Sequence, residues 1–180
     1  MISVLRASDR VAVPWKNGGG VTGEVAVSPP GSGFENFDWR VSIAEIGAAG
    51  PFSRFLNIDR TLMVLKGRLA LEFDGGRVEL DPASPPFAFA GEAACNGTPI
   101  DGAVTDLNVM TRRGRAAAHI TAVAGETHRA SAKTSLFVAR SETNIRIAKR
   151  TFRLDPFDAL LVGGPCEASL DGAAFAIAIG

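Results

Sequence analysis

Histidine and cysteine are scarce. The 180 residues hold two of each, His119, His128, Cys95 and Cys166. Zinc, iron and nickel centres usually draw on several such ligands, so the inventory argues against a transition-metal site, and neither a metal nor another cofactor is expected. The cysteines lie far apart in sequence and form no ligand cluster, which favours two reduced thiols over a disulfide. A charge excess is missing too. Nineteen Lys and Arg residues balance nineteen Asp and Glu residues, leaving no overall field to attract nucleic acid or an anionic membrane, and neither is expected as a partner. Any charged ligand must therefore be met locally. Between Met1 and Trp15 the apolar run is broken by Arg6, Asp9 and Arg10, too short for a signal segment or a spanning helix, so the cytoplasm is the expected location. No window of about eleven residues carries an apolar i, i+3, i+4, i+7 pattern, which removes helices as the main element.

What remains are short alternating runs punctuated by Gly, Pro, Asn and Asp, and these predict an all-β chain. The clearest strand runs from Phe37 to Ile46. Phe37, Trp39, Val41 and Ile43 point to one side, and Asp38, Arg40, Ser42 and Ala44 to the other, which is either a solvated surface or the polar wall of a pocket. Further strands are predicted over 21–27, 61–65, 69–73, 77–80, 87–90 and 104–110, with Asp106, Asn108 and Met110 sharing a face in the last. Asp74-Gly75-Gly76 marks a hairpin between two of them. Downstream, strands are predicted over 116–123, 135–139, 144–148, 152–154, 159–162 and 173–179.

The densest chemistry lies in Pro14 to Gly23, PWKNGGGVTG. Gly18, Gly20 and Gly23 match the spacing G-x-G-x-x-G, but Pro14 interrupts the approach and a β-branched strand follows where a nucleotide site needs a helix N-terminus. A dinucleotide site is excluded. The glycines permit φ above zero and bring amides close to a ligand, while Lys16 and Asn17 add a cation and a carboxamide, a combination suited to an anion. A tight inter-strand turn with Trp15 packed over it accounts for the same residues.

Laying Leu62 to Leu65 over Leu136 to Ala139 also lays Arg77 to Pro82 over Thr151 to Pro156 without a gap, at a constant offset of 74. Two similar β-barrels or sandwiches in one chain are expected. We divide them as residues 1–114, which hold the polar motifs, and 115–180, a degenerate second copy, packed as one unit with strands exchanged between the halves where pairing requires it.

Read in order, Trp15-Lys-Asn-Gly-Gly-Gly20, Trp39-Arg-Val-Ser42, Gly50-Pro-Phe-Ser53, Asp59-Arg60, and Asp106-Leu-Asn-Val-Met110 with Arg112-Arg113-Gly114 resemble the HutD/Ves family. The resemblance spans roughly residues 1–114 and fades in the C-terminal third. It implies a bicupin fold and a non-enzymatic, metal-independent role modulating histidine utilisation by binding a small carboxylate, N-formylglutamate or formate. Ves-type relatives are linked instead to stress. Phe55-Leu56-Asn57 departs from the more usual Phe-Pro-Gly, and Gly91-Glu92 from Gly-Asp.

The predicted ligand-binding set is Lys16, Asn17, Arg40, Ser42, Arg60 and Asn108, with Trp15 and Phe52 beside them. A barrel strand that opens on Asp59-Arg60 rather than on histidine suits a carboxylate held directly by a guanidinium. Structural readings stand next to this one: Arg60 paired with Asp59 or Glu45, Ser42 capping a backbone group, Asn108 closing a turn, Trp15 and Phe52 in the core. No catalytic residue is assigned. A metal-free cupin isomerase, epimerase or hydrolase would need an acid or base from Glu24, Glu45, Asp59 or Asp106, none with a recognisable partner. A homodimer is left open.

Overall fold

The computed structural model describes residues 1–180. Beyond one 3-10 turn at Ala7–Asp9, every regular element is a strand. The first nine are β1 (Ile2–Leu5), β2 (Ala12–Pro14), β3 (Gly20–Ser28), β4 (Trp39–Ile46), β5 (Gly50–Pro51), β6 (Ile58–Phe73), β7 (Gly76–Leu80), β8 (Phe87–Ala90) and β9 (Cys95–Arg112). The remainder are β10 (Ala118–Ala124), β11 (Thr127–Ala130), β12 (Thr134–Ala139), β13 (Thr143–Ile147), β14 (Arg150–Leu154), β15 (Ala159–Gly163), β16 (Cys166–Leu170) and β17 (Ala173–Ile179). No helix is long and apolar enough to cross a membrane.

Two compact units divide the chain. One is Val11–Ala116; the other combines Met1–Arg10 with Ala117–Gly180. The first ten residues join the C-terminal unit, because β1 pairs antiparallel with β15, Ile2 opposite Val162.

Unit Val11–Ala116 is an eight-stranded antiparallel sheet along the path β2-β3-β4-β9-β6-β7, with β5 attached to β9 and β8 to β6. Its backbone is the pair β6 and β9. The sequence suggests two strands separated by Lys66-Gly67, yet β6 runs on for 16 residues and β9 for 18. The register shifts between Val64 and Lys66 and between Lys66 and Arg68, so the pair is bulged where the sequence suggests an end. Gly67 allows this. Its φ is +83°, and a Cβ there would lie 2.8 Å from the carbonyl oxygen of Ala103. One apolar cluster joins Ile46, Leu62, Val64, Leu69, Leu71 and Val104, with Trp15 and Phe52 packed against it. Phe37, Ile58 and Met110 form a second. Each large side chain so buried contributes about 1.5–3 kcal/mol.

The other unit packs a five-stranded sheet, β1-β15-β12-β17-β10, and a four-stranded sheet, β11-β16-β13-β14, around one core. Phe137 and Leu160 from the first and Ile145, Leu154 and Ala168 from the second share that cluster, making the unit a sandwich. Neither unit contains a closed barrel, since each hydrogen-bonded path ends on a free strand. Of the barrels or sandwiches expected from sequence, no closed barrel forms, and one unit is a sandwich.

The internal similarity extends to register. The hairpin of β6 and β7 pairs Leu69 with Leu80 through Phe73 with Gly76, and that of β13 and β14 pairs Thr143 with Leu154 through Ile147 with Arg150. Every position in the second is 74 above its counterpart. The same offset relates Arg60 opposite Phe89 in β6 and β8 to Thr134 opposite Gly163 in β12 and β15.

Candidate functional site

Three neighbouring strands line up the polar residues in rungs. Arg40 of β4 and Arg60 of β6 both lie opposite Met110 of β9; Ser42 and Leu62 lie opposite Asn108; Ala44 and Val64 lie opposite Asp106. At about 4.8 Å per strand, the backbones carrying the two arginines are about 10 Å apart. The Arg40, Ser42 and Ala44 face of β4 is thus a pocket wall, as is the Asp106, Asn108 and Met110 face of β9. Together with the loop before β3 and the segment after β5 they enclose a cavity of about 730 Å³.

All eight residues of the predicted set line this cavity: Lys16, Asn17, Arg40, Ser42, Arg60 and Asn108, with Trp15 and Phe52. Aromatic rings make up much of the remaining wall. Phe52 meets Trp15 edge-on with ring centroids 6.2 Å apart, and Phe34 stacks on Phe55 at 5.4 Å. The Trp15 indole N–H donates to the Thr22 hydroxyl at 2.7 Å, which fixes the ring.

Arg60 is only 5% exposed and forms no ion pair; Asp59, the partner suggested by sequence, binds Arg113 at 2.6 Å instead. The Arg60 guanidinium sits by the rings of Phe89, Phe52 and Phe55, at 5.0, 5.3 and 5.6 Å from their centroids. Its Nη1 donates to the Ser53 carbonyl at 3.1 Å, while Nε is buried without a partner. Burial brings its pKa down to about 10 against the opposing attraction of Asp106. Arg40 is held differently. It lies over Phe34 at 4.3 Å and reaches Glu24 at 3.4 Å, and its Nε is also buried and unpaired.

Asp106 is 2% exposed and its Oδ1 has no partner. Burial pushes its pKa up to about 7, against the attraction of Arg60. Asn108 Oδ1 is likewise buried and unsatisfied. Buried polar atoms are nearly always paired in folded proteins, so these four around a single cavity, two guanidinium N–H donors and two oxygen acceptors, are free to form hydrogen bonds with a molecule inside it.

The loop before β3 is organised as a turn. Asn17 Oδ1 accepts from the Gly19 amide at 3.0 Å, the Gly18 amide donates to the Trp15 carbonyl at 3.0 Å, and Gly18 takes φ +71°. These glycine amides are committed to the loop rather than offered to a ligand, contrary to the expectation from sequence. The polar atoms this loop offers the cavity are on the Lys16 and Asn17 side chains. Gly20 has a packing role: a Cβ would lie 2.5 Å from the Glu45 carbonyl oxygen and 3.2 Å from the Trp15 ring.

Of the acid-base candidates, only Asp106 lines the cavity. Its place on one face with Asn108 is legible in the alternation; its burial is not. Phe34 and Phe55 escape sequence reading because they lie outside any alternating run. Where the family pattern departs, Asn57 takes φ +63°, a conformation Asn tolerates better than most residues, and Glu92 accepts from the Asn57 amide and from Arg113. No group of three or more His, Cys, Asp or Glu side chains is placed to hold a metal ion.

A comparison with known proteins gives a consistent picture. A protein of Pseudomonas putida described as an uncharacterized 21.2 kDa protein in the hutC 3′ region is 35% identical over 176 residues, covering 92% of this chain and 89% of that protein. Protein Ves of Citrobacter koseri is 37% identical over 108 residues, 59% of this chain and 56% of its own length. A solved structure of HutD from Pseudomonas fluorescens SBW25, in a formate condition, superposes with a TM-score of 0.89 at 34% identity, over 99% of this chain and 98% of that one. Fold likeness reaches further. A cupin 2 conserved barrel domain protein from Leptotrichia buccalis superposes with a TM-score of 0.61 at 8% identity, covering 93% and 91% of the two chains, which makes the architecture cupin-like. The family model HutD matches residues 7–178, and the chain belongs to the HutD family.

Proposed function

We propose that this protein binds a small carboxylate in the cavity of Val11–Ala116 and thereby modulates histidine utilisation, with N-formylglutamate or formate as ligand and the cytoplasm as the place of action. The observation that carries this reading is Arg60: a guanidinium buried to 5% exposure, packed by aromatic rings, with no carboxylate paired to it and an unpaired Nε. Burying such a cation costs several kcal/mol unless an anion meets it. Arg40, on the same rung two strands away, and Lys16 at the rim supply further positive charge, and charge-assisted hydrogen bonds contribute about 1.5–3 kcal/mol each. The side chains themselves bind the anion, so no metal is required. The equal registers of the two hairpins support a bicupin origin in which only the first copy kept a site.

A thermal-shift panel of N-formylglutamate, formate, glutamate, urocanate and EDTA tests this. A ligand at about 100 times its Kd adds roughly 2.7 kcal/mol, raising Tm by about 5–10 °C. Arg60→Met, which keeps the packing and removes the charge, should abolish that rise. Absence of a shift with every acid in the panel would sink the reading. A lower Tm with EDTA would reject its metal-free part.

Asp106, a buried carboxyl with its pKa near neutrality in a cavity, favours one second reading, a metal-free acid-base enzyme acting on a small acid. Consumption of a panel acid during prolonged incubation, followed by NMR and lost in Asp106→Asn, distinguishes it from binding.

A further inference from the structure

Asp106 is the one carboxyl group lining the cavity. The charged and titratable groups around it and its neighbour Arg60 come from four strands and one loop. Arg60 on β6 attracts it through space without forming an ion pair; Cys95 on β9 is a thiol that burial keeps neutral; Arg40 on β4 is bridged to Glu24 of β3; Lys16 reaches in from the rim. The charge balance has two settings. Lys16, Arg40 and Arg60 against Glu24 and an ionised Asp106 leave one net positive charge, and a proton on Asp106 leaves two. An ionised Asp106 would also compete with an entering carboxylate for Arg60, at a depth where water screens neither.

Resting on the carboxylate-binding reading above, we propose that the cavity takes a dicarboxylate together with one proton, which Asp106 carries. The proton comes from solvent to the Asp106 carboxylate. Neutral Asp106 then turns its unpaired Oδ1 position into a hydrogen-bond donor toward a ligand oxygen, and Arg60 faces a ligand carboxylate without a competing negative charge. A monocarboxylate needs no such proton, because the ionised form already presents the single positive charge it requires. Asp106 thereby sets the charge of the preferred ligand. Burial pushes its pKa up to about 7, so the proton is available in the neutral range, and an anion bound beside it raises that affinity for a proton further.

Isothermal titration calorimetry of N-formylglutamate and of formate into the full chain, between pH 6 and pH 9, tests the proposal. Both ligands stay fully ionised across that range. At pH 8, comparison of phosphate and Tris buffers, which differ in ionisation enthalpy, should show uptake of about 0.9 proton per N-formylglutamate bound. Its Kd should rise about 100-fold from pH 6 to pH 9, against less than about tenfold for formate. Asp106→Asn should remove the uptake and flatten the profile. Should that variant fail to fold, the buffer comparison on the native protein decides by itself. Zero proton uptake with an equal Kd at pH 6 and pH 9 would overturn the proposal while leaving the carboxylate site standing. Binding of neither acid at any pH would overturn the carboxylate site, and the proton with it.

Discussion

At the scale of single residues, the stability of the protein carries a signature of Asp106. Its folded pKa, about 7, lies above the ordinary value of 3.8, so between those values the folded state holds a proton that the unfolded state has released. Stability from this group is therefore full below about pH 4 and is lost as pH rises through 7, by about 2–3 kcal/mol between pH 5 and pH 8. Asp106→Asn should show a larger gain, or smaller loss, in urea midpoint relative to the native protein at pH 8 than at pH 5. Equal differences at the two pH values would mean that Asp106 ionises as freely as a surface carboxyl. The residues that face the cavity were legible from chemistry and alternation: Arg40 and Ser42 on one strand face, Arg60 opening another strand, Lys16 and Asn17 in a glycine-rich turn. Their state was not. Whether Arg60 pairs with Asp59 depends on which neighbour occupies Asp59, and Arg113 sits 54 positions away in sequence. The commitment of the Gly18 and Gly19 amides to their own turn was equally invisible, because any Asn-Gly sequence permits it.

At the scale of elements, the sequence shows where strands lie better than where they end. Phe87–Ala90 and Ala173–Ile179 come out with the predicted bounds. Lys66-Gly67 reads as a stop, yet the ladder of β6 against β9 continues through it with a bulge. The reason is local: Gly can take φ +83° inside a bulge as readily as in a turn, and only the partner strand tells the two apart. Gly67→Ala should lower stability by about 1–3 kcal/mol through backbone strain and the approach to the Ala103 carbonyl, measured by chemical denaturation. A neutral outcome would mean that the bulge relaxes. The strands missed from sequence, β1, β2, β5, β11 and β16, are short, and partners distant in sequence or on the far side of a turn specify them more than their own pattern does.

At the scale of the whole molecule, the matching registers of the two hairpins were legible as an offset of 74, while the assignment of the first ten residues was not, because pairing between residues 2 and 162 leaves no trace in periodicity. Those residues are well anchored. Asp158, although burial opposes its charge, accepts from the Ala7 amide at 2.6 Å and from Arg6 at 2.7 Å, and these bonds hold its pKa below the ordinary value. Deleting residues 1–10 should therefore expose the Ala159–Gly163 amides to faster hydrogen exchange while those of β4, β6 and β9 keep their protection. Loss of protection in both units alike would show that they do not unfold separately. The same pairing orders events on the ribosome. At roughly 5–20 residues per second, β1 emerges on the order of 10 s before β15 exists, and Val11–Ala116 can complete its own sheet in the interval. β1 is made well before the partner it pairs with, so a chain released at residue 116 would hold every strand that lines the cavity and, in β1, one strand with nothing to pair with.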